Sequence, residues 1–379
     1  MNIPRAIIDP ILKQLRAYKK AIIIYGARQV GKTTLCKEII AQLNLKTLSV
    51  NADQQKYIDV LSSRDLDNMR ALVDGYELLF IDEAQRIPDI GINLKILIDE
   101  MPQMKIITTG SSSFDLAGKI SEPLTGRVWT YSLFPVAVYE LQKLYNSFEI
   151  DNKLDELLIF GSYPEVITTI NHRQKQKLLE QIGMSYLYKD VFELNHIKHR
   201  SKIKDLLKLL AFQVGSEVSI LELSNSMGIS RDAVERYIDL FEKCFVIFRL
   251  SAFSRNLRKE VSKMNKIYFY DLGIRNMVID NFKPLSDRND VGQLWENFLM
   301  IERRKTLSYR DISASGYFWR VHTGAEIDYI EERDGDLLGY EFKYKQKKVK
   351  APDTWTQTYK NSHFELIHRK NYLDFITVI

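Results

Sequence analysis

The feature that most constrains this chain is a run near its start, Tyr25-Gly26-Ala27-Arg28-Gln29-Val30-Gly31-Lys32-Thr33-Thr34. An apolar, β-branched segment at 21–25 precedes it, and a helix-like segment at 35–43 follows. Strand, glycine loop and helix in that order let successive backbone N–H groups turn inward around phosphate oxygens. The two glycines permit the turn. Lys32 would reach the β- and γ-phosphates of ATP, and the Thr33 hydroxyl would ligate Mg²⁺. The helix behind would add its positive dipole end. Gly26, Ala27, Arg28, Gln29, Val30, Gly31, Lys32, Thr33 and Thr34 are therefore the expected nucleotide-binding loop. A plain glycine turn is the bland alternative, and the flanking strand and helix argue against it.

At 379 residues and 45% hydrophobic content, the chain has material for two to three domains. No uninterrupted apolar run follows Met1-Asn2-Ile3-Pro4-Arg5, and none reaches the length of a membrane span. Cys36 and Cys244 stand far apart in apolar surroundings, which suits packed thiols in a reducing compartment. The expectation is a cytoplasmic protein with no membrane partner. The net charge of +5 is concentrated in residues 141–289, which hold 23 basic and 19 acidic residues. That excess is a mild pointer to an anionic partner there.

Residues 1–135 alternate strand-like and helix-like patterns, with strands expected at 21–25, 47–50, 78–81, 105–109 and 128–133. Such alternation builds a doubly wound parallel sheet. Leu78-Leu79-Phe80-Ile81-Asp82-Glu83 places two carboxylates at the carboxyl end of a buried strand, the edge where ligands sit in such sheets. Asp82 would hold the Mg²⁺ and its water shell, and Glu83 would polarise the attacking water. The strand at 105–109 ends in Gly110-Ser111-Ser112-Ser113. Ser111 either senses the γ-phosphate or caps the helix that follows; both readings stand at this point. Arg127, after Gly126, either neutralises transition-state charge or is an ordinary surface arginine.

Gly26–Thr34, residues 80–85, residues 109–112 and Gly126-Arg127 followed by Leu133-Phe134-Pro135 resemble a large prokaryotic family of predicted AAA-type ATPases. Members of that family carry a C-terminal domain of uncertain function. Gly161-Ser162-Tyr163-Pro164-Glu165, Tyr188-Lys189-Asp190-Val191 and Tyr268-Phe269-Tyr270-Asp271-Leu272-Gly273 also look like the family, so the resemblance covers nearly the whole chain. Ala27 departs from it, since many members have proline there. The position contributes only backbone to the loop. The resemblance assigns Lys32, Thr33, Asp82 and Glu83 the roles already read from the residues. It leaves open whether Arg127 serves its own subunit or a neighbour, and with it the oligomeric state.

Residues 136–200 read as a helical lid or connector. Residues 201–283 read as a winged helix-turn-helix: three helices, then strands at 245–250 and 266–270. Ser219-Ile220-Leu221-Glu222 opens the second helix with a capping box, and residues 231–238 occupy the place of a recognition helix. Arg255, Arg258, Lys259, Lys263 and Lys266, against Glu260, form either a basic wing for phosphates or a solvated face.

From 284 onward the pattern is helix, three strands, helix, strand. That order resembles the PD-(D/E)xK nuclease superfamily. Asp328 falls on the second strand, and Glu341-Phe342-Lys343 on the third. Residues 341 and 343 share one face of a strand because side chains alternate. Asp328 and Glu341 would converge on Mg²⁺, with Lys343 positioning water and Glu296 on the preceding helix as a fourth member. Such folds also serve as inactive binding modules. The sequence therefore predicts a P-loop NTPase core of AAA type over 1–135, the lid, the winged helix, and an α/β restriction-endonuclease-like domain over 284–379. The expected function is ATP hydrolysis coupled to a DNA-associated nuclease-like domain; the alternative is an ATP-dependent switch whose last domain binds without cleaving.

Overall fold

The computed structural model describes residues 3–111, 124–184, 200–254, 265–321 and 324–378. Ser112, the Tyr188–Val191 signpost, and Arg255, Arg258, Lys259 and Lys263 lie outside the described residues. The chain divides into two compact units, one comprising 5–134 with 243–245, the other 1–4, 135–242 and 246–379.

The first unit is built on five parallel strands: β1 (Ala21–Tyr25), β2 (Thr47–Asn51), β3 (Leu78–Asp82), β4 (Lys105–Gly110) and β5 (Val128–Ser132). Their order is β2-β3-β4-β1-β5, so one strand, β4, stands between the loop-bearing β1 and the acidic β3. Ile22, Ile23, Ile24 and Leu78–Ile81 are all buried, as a parallel sheet covered on both faces requires. The helices Lys32–Leu43 and Ile90–Glu100 carry the crossovers that parallel pairing demands. One side of the core gathers Ile23, Leu79, Ile81, Leu94, Leu97 and Ile106.

The second unit holds a seven-stranded sheet in the order β12-β11-β10-β9-β7-β8-β6. The strands are β6 (Glu217–Val218), β7 (Ile247–Ala252), β8 (Asn265–Phe269), β9 (Ser315–Arg320), β10 (Glu326–Arg333), β11 (Asp336–Phe342) and β12 (Ser362–Ile367). The helices Arg200–Phe212, Ile220–Met227 and Arg231–Lys243 precede β7 and β8, and Val291–Tyr309 precedes β9. The Ser219 side chain accepts from Glu222 N at 3.3 Å, capping Ile220–Met227. Pairing of Ser251 with Tyr317 and Ala252 with Phe318 joins the strands around 247–269 to those beyond 315. A single sheet therefore runs across segments that the sequence suggested would be separate.

Two family signposts meet inside this unit. Asp271 Oδ2 accepts from Ser162 N at 2.7 Å, and Oδ1 accepts from Ile274 N at 3.1 Å. A Cβ on Gly161 would fall 2.2 Å from Asp271 Oδ1, and one on Gly273 would fall 2.1 Å from the Phe160 carbonyl oxygen. Gly161 thus makes room for the Asp271 carboxylate, and Gly273 for the Phe160 backbone. Lys305 ties the same region together, donating to Val136 O, Ser162 Oγ and Glu302 Oε1 at 3.1, 3.0 and 2.7 Å.

Candidate functional site

The loop between β1 and the helix Lys32–Leu43 is shaped by close packing. A Cβ on Gly26 would lie 2.2 Å from the Leu133 carbonyl oxygen, and Gly31 takes φ +96° at the helix start. Lys32 is almost fully buried, and its ammonium donates to the Gly26 and Ala27 carbonyls at 2.8 and 2.9 Å. A residue that the sequence did not single out braces the loop from behind. The buried Arg5 guanidinium donates to Val30 O at 2.8 Å and to Phe134 O at 2.7 Å. Its planar fork holds the loop against the segment after β5. No motif spacing signals this, because the partners are backbone carbonyls far along the chain.

The end of β3 meets this loop. Thr33 Oγ1 donates to Asp82 Oδ2 at 2.9 Å, and Thr109 Oγ1 donates to Asp82 Oδ1 at 2.5 Å. Thr109 also accepts from Glu83 N at 3.1 Å. Glu83 sits at φ +56°, a left-handed conformation uncommon for a non-glycine residue. Gln85 Nε2 donates to Glu83 Oε2 at 2.5 Å and to Ser111 Oγ at 2.9 Å. Thus Ser111 reaches Glu83 through Gln85, whereas Thr109 contacts the acidic pair directly. Thr33 and Asp82 present two hard oxygen donors side by side, the chemistry Mg²⁺ takes. These two residues would hold the ion, which when bound neutralises phosphate charge.

Arg127 stands elsewhere. Its carbonyl accepts from Ala21 N at the amino end of β1, the end of the sheet opposite the loop. Its guanidinium pairs with Asp99 at 2.7 and 3.1 Å, which holds the Asp99 carboxyl below the usual range. A full strand separates it from Lys32 in the same chain.

In the second unit, Asp328 is aimed by a β-bulge. Ile327 opposes Trp319 and Ile330 opposes Tyr317, so β10 carries one extra residue there. Both isoleucines consequently pack in one core with Phe253, Trp319, Leu337 and Trp355. Strict alternation would have sent them to opposite faces. Asp328 Oδ2 accepts from Phe342 N at 2.8 Å. Lys343 Nζ lies 2.5 Å from Glu341 Oε1 and 3.8 Å from Asp328 Oδ2. Burial, with the Asp328 carboxylate, raises the Glu341 carboxyl's pKa.

A second lysine enters the same cluster from β8. Lys266 Nζ lies 2.6 Å from Glu326 Oε1, 3.3 Å from Glu296 Oε1 and 4.0 Å from Asp328 Oδ1. The sequence grouped this residue with a basic wing open to phosphates; in the structure it is 3% exposed. Strand alternation and the apolar neighbours Ile267 and Phe269 gave no hint of it, because its partners lie 30 and more residues away. Burial alone would make the Lys266 ammonium easier to deprotonate; the carboxylates of Glu296, Glu326 and Asp328 outweigh that and raise its pKa. Glu296 Oε1 also accepts from Tyr268 Oη at 2.6 Å, and burial pushes the Glu296 carboxyl up to about 7. Among the described residues, no group of three or more His, Cys, Asp or Glu is disposed to hold a metal ion.

Comparison with known proteins agrees with the first unit's geometry. Residues 18–142 match the family model described as an AAA domain. Residues 151–285 and 291–371 match two domains of unknown function, DUF8612 and DUF4143. The N-terminal part of the chain is thus an AAA-type P-loop ATPase-like domain. The chain is similar to the uncharacterized protein Rv2008c of Mycobacterium tuberculosis, 28% identical over 88% of this chain and 73% of the relative. It is also similar to the uncharacterized protein MJ1544 of Methanocaldococcus jannaschii, 25% identical over 88% of this chain and 78% of that one. Among solved structures it is similar to the Walker-type ATPase PABY2304 of Pyrococcus abyssi, with 14% identity, a TM-score of 0.47, and coverage of 72% of this chain and 94% of that one. Among the described residues, no helix is long and apolar enough to cross a membrane.

Proposed function

We propose that this chain is a Mg²⁺-dependent ATPase whose second unit associates with DNA. The observation that carries the ATPase reading is the convergence of Thr33, Asp82, Thr109 and Glu83 beside the phosphate loop. In this reading Lys32 and the loop amides bind the triphosphate, and Thr33 and Asp82 hold the ion. Glu83, released from Gln85, orients the attacking water. Glu83→Gln is expected to bind ATP normally and to turn it over about 10²–10⁴-fold more slowly. Unchanged turnover would overturn the assignment of the base.

Support for DNA comes from Lys345, Lys347, Lys348 and Lys350, all exposed just beyond Lys343, where a phosphate backbone would be neutralised. The helix Arg231–Lys243, read as a recognition helix, exposes Arg231, Asp232, Glu235, Arg236 and Lys243, so its outer face adds only a small net positive charge. Binding of labelled duplex DNA should weaken steeply with salt and drop when the four lysines become glutamine. Binding that ignores both would remove DNA from the reading. The second reading, a switch that binds without cleaving, is favoured by one observation: the acidic cluster around Asp328 already contains the Lys266 ammonium.

A further inference from the structure

We propose that Lys266 is the built-in cation of the Asp328 cluster, and that its ammonium excludes a divalent metal from the place where metal-dependent hydrolysis would need one. The inference deepens the DNA-associated reading of the second unit, on which it rests, by deciding between its two forms. The site binds; it does not cleave.

Asp328 is engaged on both oxygens. Oδ2 accepts the Phe342 N–H at 2.8 Å and faces Lys343 at 3.8 Å, while Oδ1 faces Lys266 at 4.0 Å. Glu341, the other expected ligand, is taken by Lys343 at 2.5 Å. Glu296 and Glu326 both lean on Lys266, at 3.3 and 2.6 Å. A Mg²⁺ or Mn²⁺ ion needs an open octahedral set of oxygens at about 2.1 Å. Here it would have to displace two ammonium groups, one of them almost fully buried. Leaving a buried ammonium without its carboxylates is costly, so the exchange is unfavourable.

Lys266 is fixed in that place by backbone pairing. It opposes Glu217 on β6 and Leu250 on β7, and its ammonium passes over the Phe318 ring at 5.5 Å. The site is therefore composite. Its acids belong to 296–341 and its cation to a strand before 270, a boundary that neither stretch reveals alone.

The experiment is a Mn²⁺ titration of the full chain without nucleotide, following free Mn²⁺ by electron paramagnetic resonance. Wild type and Asp328→Asn should bind the same amount, since neither has a metal site at the cluster. Lys266→Met should gain one Mn²⁺ site that wild type lacks, and Lys266→Met/Asp328→Asn should lose it again. Mn²⁺ binding in wild type that disappears in Asp328→Asn overturns the proposal. So does a folded Lys266→Met chain that gains nothing. Should Lys266→Met fail to fold, the comparison of wild type with Asp328→Asn decides alone. Because no nucleotide is present and no DNA is added, the outcome is independent of the Glu83→Gln and DNA-binding tests.

Discussion

Thr109 Oγ1 stands 2.5 Å from Asp82 Oδ1 while also accepting the Glu83 backbone N–H at 3.1 Å. One hydroxyl thus organises both acids at the end of β3. Thr109→Val keeps the shape but leaves the Glu83 N–H without its acceptor, at a cost of about 1–3 kcal/mol. Steady-state ATP turnover should fall about tenfold or more with little change in ATP affinity. Valine supporting wild-type turnover would show that the threonine only fills space.

Arg5 spans two carbonyls, Val30 O and Phe134 O, with one planar group. A lysine reaches only one of them. Arg5→Lys should leave the circular dichroism spectrum intact yet weaken ATP binding about tenfold, because the loop loses one buried, charge-assisted hydrogen bond. Isothermal titration with ATP and Mg²⁺ checks this.

Arg127 lies at the amino end of the sheet, paired with Asp99, so any phosphate it served would belong to a neighbouring chain. Arg127→Ala should fold as wild type does, since exposed ion pairs contribute little. Mixed in equal amounts with Glu83→Gln chains, it should show turnover above the sum of the two alone. Each Glu83→Gln chain would lend its arginine to an intact site. A strictly additive mixture would argue for an ordinary surface arginine.

Gly161 and Asp271 share a contact with no room for a side chain, and Gly161 is at φ +71°. Gly161→Ala should lower the stability of the second unit by about 2–4 kcal/mol, measured as a shift in its denaturant midpoint.

Burial raises the Asp271 carboxyl's pKa above its ordinary 3.8, partly offset by the Ser162 N–H and the Lys305 ammonium. A carboxyl raised on folding contributes stability that is full below its unfolded value and lost as pH rises through the folded one. Relative to Asp271→Asn, wild type should therefore lose stability as pH climbs from below 3.8. Parallel pH profiles for the two chains would show that Asp271 does not titrate this way.

Much of the first unit was legible because its signals are local. The apolar runs at 21–25, 78–81 and 105–109 become β1, β3 and β4 with ends shifted by a residue at most. A buried parallel strand must be apolar on both faces, and a phosphate loop must be glycine-rich between strand and helix. The antiparallel strands around Asp328 and Glu341 were legible from a different local signal, strand-like runs separated by the turn residues Thr323-Gly324 and Asp334-Gly335. The bulge at Asp328 was not, since nothing in Ile327-Asp328-Tyr329-Ile330 distinguishes a bulged strand from a regular one. Nor was Thr109 distinguishable from Ser111, because which hydroxyl touches Asp82 depends on how far β4 runs.

What the sequence by itself determined is the phosphate loop, its acidic partner strand, and the order of elements to either side. These follow from periodicity, glycine placement and strand ends, all set within a few neighbouring residues. Only the tertiary structure decided where the charges go: Arg5 to the back of the loop, Arg127 to the far end of the sheet, Lys266 into the acidic cluster. A buried charge is held by partners brought together across the fold, and its desolvation is offset only by groups that the linear chain keeps far apart.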